Sequence, residues 1–148
     1  MNQEELKNQV SAIKHQFMTF RNGIVADALR KSGMTYEIIF GLQMPQLTQI
    51  ASSLPHDETI ATTLWNDKKV RESRLLVAYI YPKDKLTMEK AYSMAKDLLT
   101  REEADILCFR LFRYLPFAEA LAIELNSDSS ELIQYCGQML KKNLSAIS

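Results

Sequence analysis

The chain has 148 residues, 47% hydrophobic and 24% charged, and its 18 basic and 18 acidic side chains cancel. That length suits one domain with a sizeable core, and apolar runs such as Leu75 to Tyr81 are far too short to cross a bilayer. Zero net charge argues against a strong nonspecific nucleic-acid binder. The charge is unevenly spread, however. Residues 1–67 carry five basic and seven acidic side chains, residues 68–113 eleven and seven, and residues 114–148 two and four. The middle third is a local basic zone, open to two readings: a binding face, or lysines and arginines on solvated helix faces.

In chain order the pattern is helical almost throughout. The first residues, Met1 to Glu5, are polar and acidic where a secretory signal needs positive charge, so a cytoplasmic protein is expected. Leu6, Val10, Ile13, Phe17 and Phe20 then recur at helical spacing, which predicts a helix over 2–20. Asn22 caps a second helix, 23–32, stopped by Gly33. Pro45 stands at the first turn of a helix running to Leu54, and Asp57 caps another over 58–67. A fifth, from about 69 to 81, ends at Pro82. Thr87 caps 88–99, and Thr100 with Glu103 forms a capping box for 101–114. Pro116 opens a short helix to Asn126, and Ser129 or Ser130 opens the last, towards Asn143.

Helices this short, joined by so few residues, run antiparallel to their neighbours. The segment 101–114 carries Ile106, Leu107, Cys108, Phe109, Leu111 and Phe112 around much of its circumference, with Leu115 just beyond, and so needs cover on several sides. The expected fold is all-α: a single domain built as a right-handed stack of antiparallel helical hairpins of the HEAT or ARM kind. A compact bundle is the competing architecture.

Most chemical motifs are absent. No Gly-rich phosphate loop and no HExxH helix is present. His15 and His56 stand alone in polar surroundings, and Cys108 and Cys136 have no metal-type spacing and read as reduced core thiols. No cofactor and no metal is therefore expected.

Three blocks carry a resemblance. Gly41, Pro45, Leu47, Ile50 and Ala51 are followed by Leu64-Trp65 and then by Arg71-Glu72-Ser73-Arg74 before the apolar run Leu75 to Ala78. In order and spacing, over roughly residues 36–126, these are similar to the DNA alkylation repair family, alkylpurine DNA glycosylases of the AlkD type. The resemblance implies a HEAT-like solenoid that lays duplex DNA on a concave basic face and excises N3- or N7-alkylated purines. An Asp and aromatic rings would stabilise the cationic sugar of the transition state. It places the catalytic Asp at Asp105. Lys68, Lys69, Arg71, Arg74, Arg110 and Arg113 become the candidate DNA contacts.

The sequence also departs from the family pattern. Arg101 stands where the family has a tryptophan, four residues before Asp105, and can pair with that carboxylate along the helix. No arginine follows Arg113. Gln134 and Tyr135 occupy the place of an arginine that would hold the DNA backbone. The chain is expected to lack the C-terminal repeats of longer members, so duplex binding should be weak. Two functions compete: a reduced DNA-binding relative that still acts through Asp105, and a non-catalytic helical scaffold for protein or nucleic acid. An enzyme of another class is the third, with no residue constellation to support it. Leu132, Ile133, Met139 and Leu140 in the last helix suggest a homodimer through that end.

Overall fold

The computed structural model describes residues 1–147, the side chain of residue 147 excepted. Among the described residues the chain is all-helical, with nine α-helices and no strand. It forms two compact units, Met1–Tyr81 and Pro82–Ser148.

The first unit holds α1 (Gln3–Thr19), α2 (Gly23–Lys31), α3 (Met44–Ser52), α4 (Glu58–Trp65) and α5 (Arg71–Ile80). Each start has a local cause. The Asn2 side chain accepts from the Glu5 N–H at 2.8 Å, the Asn22 side chain from those of Ile24 and Val25 at 3.1 Å, and the Asp57 side chain from that of Ile60 at 2.9 Å. These bonds satisfy amide donors that a helix leaves without partners. Gly33, at φ 109°, ends α2 in the left-handed region. Helix α5 packs against α3 and α4, and α4 also against α1. Ile13 and Phe17 of α1 are buried, as are Leu47, Ile50, Ile60 and Leu64.

All ten residues of α5 are buried, including Arg71, Glu72, Ser73 and Arg74 in its first turn. Such a helix needs a partner for every polar atom. The Glu72 carboxylate accepts from three consecutive backbone N–H groups, Phe40 at 3.0 Å, Gly41 at 3.0 Å and Leu42 at 3.3 Å. The Arg71 guanidinium reaches the same carboxylate at 2.6 Å and donates to the Leu42 carbonyl at 2.9 Å. Ser73 donates to Asp67, whose carboxylate also meets Lys14 of α1 at 2.8 Å. The Arg74 guanidinium lies 3.5 Å over the Trp65 ring and donates to the Trp65 carbonyl.

The loop so gripped is shaped to fit. Gly41 adopts φ 86°, which helps turn successive N–H groups to one side as an anion-binding nest. A Cβ there would lie 2.2 Å from the Asn22 carbonyl oxygen, so glycine also permits contact with the start of α2. The Asn22 N–H donates back to Phe40. Two residues before Phe40, Ile38 pairs with Val70 in an isolated parallel bridge, and the Arg71 N–H donates to the Ile38 carbonyl.

The second unit holds a 3-10 turn (Lys83–Lys85), α6 (Met88–Lys96), α7 (Arg101–Arg110), a second 3-10 turn (Phe112–Tyr114), α8 (Ala118–Asn126) and α9 (Glu131–Ile147). Helix α9 packs against α7 and α8, and α6 against α8. The approach of α8 to α9 is set by Gly137, where an added Cβ would stand 2.7 Å from the Asn126 nitrogen and 2.9 Å from the Leu125 Cβ. The Tyr92 hydroxyl of α6 donates to Asp128, whose carboxylate also accepts the Ser130 N–H before α9.

The expected helix over 101–114 is corrected here. It stops at Arg110, because Leu111 takes a non-helical conformation, and a 3-10 turn follows. Leu115 is extended ahead of Pro116, as a residue before proline prefers. Leu111, Phe112 and Leu115 still turn inward, but Phe109 does not.

Glu72 holds unit 1 together through both a charge and a shape. Its replacement by Gln should lower stability by about 3–5 kcal/mol, the usual cost of breaking a buried ion pair from one side, as read by urea unfolding followed by circular dichroism. A loss below about 1 kcal/mol, the scale of one ordinary hydrogen bond, would show that the nest is dispensable.

Candidate nucleic-acid interface

The candidate DNA contacts fall into three groups. Arg71 and Arg74 are 4% and 0% exposed, so the expectation that they touch phosphate is corrected. Their guanidinium groups are committed to Glu72, to the Leu42 and Trp65 carbonyls and to the Trp65 ring. Trp65, 6% exposed under Arg74, is likewise a packing residue. Lys68 and Lys69 are exposed in the turn before α5, with Lys69 3.9 Å from Glu37. Arg110 and Arg113 are half-buried in the second unit, at the end of α7 and in the turn that follows.

Asp105 is half-buried on α7. Helix α7 starts at the predicted cap: Thr100 accepts from the Glu103 N–H at 3.2 Å, while Glu103, itself buried, accepts from the N–H of Leu99, one residue before the cap, at 2.8 Å. Asp105 accepts the Tyr135 hydroxyl of α9 at 2.6 Å. Arg101 turns towards α9 too, 4.7 Å over the Tyr135 ring and 3.9 Å from Glu131. The expected Arg101–Asp105 pair is thus replaced by a three-residue arrangement in which Tyr135 takes both neighbours, one at its hydroxyl and one at its ring. The hydrogen bond to Asp105, helped by burial, raises the Tyr135 phenol from 10.0 to about 12. One turn along, the free thiols of Cys108 and Cys136 lie 3.6 Å apart, both fully buried. Hydrogen bonding to Cys136, with burial, holds the Cys108 thiol well above its usual range and so protonated.

A concavity of about 670 Å³ between α8 and α9 is lined by residues such as Glu119, Ile123, Asn126 and Lys141. It contains neither Asp105 nor the arginines, and so does not place a base beside that carboxylate.

A different cluster emerges at the end of α7. Of the phenylalanines, tyrosines and tryptophan among the described residues, only Phe109 and Tyr114 are exposed, at 39% and 50%. Both lie against one side chain: the Arg113 guanidinium is 4.3 Å from the Phe109 ring and 4.8 Å from the Tyr114 ring, and it donates to the Tyr114 hydroxyl at 2.6 Å. The exposed Lys83 ammonium lies 4.5 Å over Tyr114. The 3-10 turn makes this possible by ending α7 so that Leu111 and Phe112 enter the core while the residues on either side face out. No acidic residue occurs between Ile106 and Ala118.

Sequence reading missed Phe109, Tyr114 and Lys83 as members of a site. The available signal was the pairing of Phe109 with Arg110 and of Arg113 with Tyr114 around Leu111-Phe112. That alternation places aromatic and basic groups on the same side of a turn. In α9, Ile133 and Leu140 are buried within their own unit, and Leu132 and Met139 are half-buried.

Comparison with known protein families, with characterised proteins and with solved structures finds no match to this chain.

Tyr135 gives the α7–α9 seam a pH signature. A folded-state pKa above the unfolded value means that the native state holds the proton longer, so this stabilisation is complete below pH 10 and is lost as pH rises through about 12. Tyr135→Phe should be less stable than wild type at neutral pH, by about 0.5–1.5 kcal/mol for one hydrogen bond. The gap should close over that alkaline window, as followed by chemical denaturation at a series of pH values. A gap that stays constant would show that Asp105 does not hold the phenol.

Proposed function

We propose that this protein is a nucleic-acid-binding helical-repeat protein whose contact surface is the basic-aromatic cluster of its second unit. The observation that carries the reading is the gathering of Phe109 and Tyr114 around Arg113, with Lys83 beside them. A solvated helix face explains lysines and arginines, but it does not explain why two exposed aromatic rings, Phe109 and Tyr114, share one guanidinium. Cations with interleaved aromatic faces are what phosphates and bases require together.

A HEAT-like stack is the scaffold in this reading. Its support is the packing within each unit, mostly between helices close in the chain: α3 and α4 on α5, α7 and α8 on α9, α6 on α8, with α1 reaching across to α4 and α6 to α9. Layered helical hairpins pack in that way. The blocks that resemble the DNA alkylation repair family support kinship of scaffold more than of chemistry. Gly41 and the Arg71-Glu72-Ser73-Arg74 segment meet in one buried network, so the fold itself has a use for them.

Labelled DNA should bind in a salt-sensitive manner, since contacts to phosphate release counterions. Arg113→Glu combined with Lys83→Glu should weaken binding roughly tenfold at low salt, as measured by fluorescence anisotropy. Affinity at low salt no better than that of a neutral control protein would sink the reading.

Asp105 serves packing in this reading, as the acceptor for the Tyr135 hydroxyl across the contact between α7 and α9. Methylated DNA incubated with the protein should therefore release N7-methylguanine only at the spontaneous rate, as followed by chromatography. Release above that rate, abolished by Asp105→Asn, would make Asp105 catalytic instead.

A further inference from the structure

The cluster at the end of α7 also says which kind of strand it fits, given the nucleic-acid reading above. Its cations are few: Lys83 and Arg113 at the rings, Arg110 at the end of α7 and Lys85 in the neighbouring turn. Duplex binding draws on many phosphate contacts, and affinity scales steeply with their number. A patch this small, on a chain of zero net charge, holds a rigid duplex poorly. The rings supply a different source of affinity. A duplex keeps its bases stacked on one another and offers them no face, whereas an unpaired strand can lay a base on an aromatic ring.

The local geometry favours the second case. Phe109 and Tyr114 are the exposed aromatic side chains among the described residues, at 39% and 50%. They flank the inward-turning Leu111 and Phe112, which fix the backbone between them. Arg113 contacts both rings and bonds the Tyr114 hydroxyl, so the aromatic pair is already ordered before a ligand arrives and little rotamer freedom remains to be lost. Lys83 lies 4.5 Å over the Tyr114 ring, and its long, exposed side chain can swing from that face to the phosphate next to a stacked base.

We infer that this surface binds unpaired, base-bearing nucleic acid in preference to duplex. Bases stack on Tyr114 and Phe109, and Lys83 and Arg113 meet the adjoining phosphates. Stacking on an aromatic face is tolerant of sequence, so no strong base preference is expected. With about two phosphates neutralised, the single-strand affinity falls with a log–log salt slope of about −1.4.

The test is a titration of the full chain with four fluorescent probes of equal length: an oligothymidylate, an oligouridylate, a duplex and an abasic strand. The abasic strand keeps the phosphates and lacks the bases. The two base-bearing single strands should bind roughly tenfold or more tightly than the duplex and the abasic strand. Tyr114→Ala should cost single-strand affinity roughly tenfold while leaving the salt slope unchanged, and Tyr114→Phe, which keeps the ring, should restore most of it. Tyr114 is exposed, so circular dichroism should show both variants folded. An abasic strand or duplex that binds as well as the oligothymidylate, or a Tyr114→Ala variant of unchanged affinity, overturns the stacking inference and leaves a purely electrostatic nucleic-acid surface. Absence of binding by all four probes at low salt overturns the nucleic-acid reading itself, and this inference with it.

Discussion

A carboxylate with no exposure to water decides the shape of the first half of this protein. Glu72 is charged, buried and at the start of a helix, where the macrodipole favours it. Dipole and Arg71 together do not satisfy its lone pairs, and the remainder is supplied by the peptide N–H groups of residues 40–42. That requirement fixes the path of the segment between α2 and α3. It demands a left-handed residue at Gly41, brings the segment against Asn22, and lines up Ile38 with Val70. Four consecutive polar residues can enter a core in this way because each finds a partner outside α5: Arg71 and Glu72 in the segment 40–42, Ser73 at Asp67 and Arg74 at Trp65.

Much of this fold was written locally. Asn2, Asn22, Asp57, Thr87 and Thr100 are short polar side chains placed just before apolar periodicity, and each caps the helix that its position implies. Gly33 and Pro82 stop helices for equally local reasons. What escaped was non-local. Arg71 and Arg74 look like surface cations because the groups that cover them, the Leu42 carbonyl and the Trp65 ring, are not announced by local spacing. Glu72 is adjacent to Arg71, yet its other partners are backbone groups 30 to 32 residues away, which no side-chain pattern announces. Phe109 was misplaced for the opposite reason. Counted by helical spacing it belongs to an apolar face, but the helix that would put it there ends one residue later.

The candidate site was visible only in outline. Arg110 and Arg113 fall in the basic middle of the sequence, and the structure leaves them half-exposed, whereas the arginines of α5 are withdrawn from solvent. Asp105, the carboxylate that the family resemblance singles out, has neighbours that give it another use. A carboxylate that shares the hydrogen of Tyr135, next to a guanidinium stacked on the same ring, contributes to the contact between α7 and α9. Beneath it the Cys108–Cys136 contact continues the same seam into the core. The polar pair and the thiol pair together form a single line of contact from surface to interior.

Gly137 closes the other side of α9, and its consequence reaches beyond packing. Glycine within a helix costs about 1 kcal/mol relative to alanine, and here it lies inside the 17-residue α9. The position therefore exchanges intrinsic helicity for a close crossing with α8. A peptide of this sequence taken alone lacks the crossing and keeps the penalty, close to the length at which isolated helices are marginal in water. The last helix of the protein is in this sense not autonomous: its order is borrowed from α7 and α8, so whatever loosens those two helices also unwinds the end of the chain.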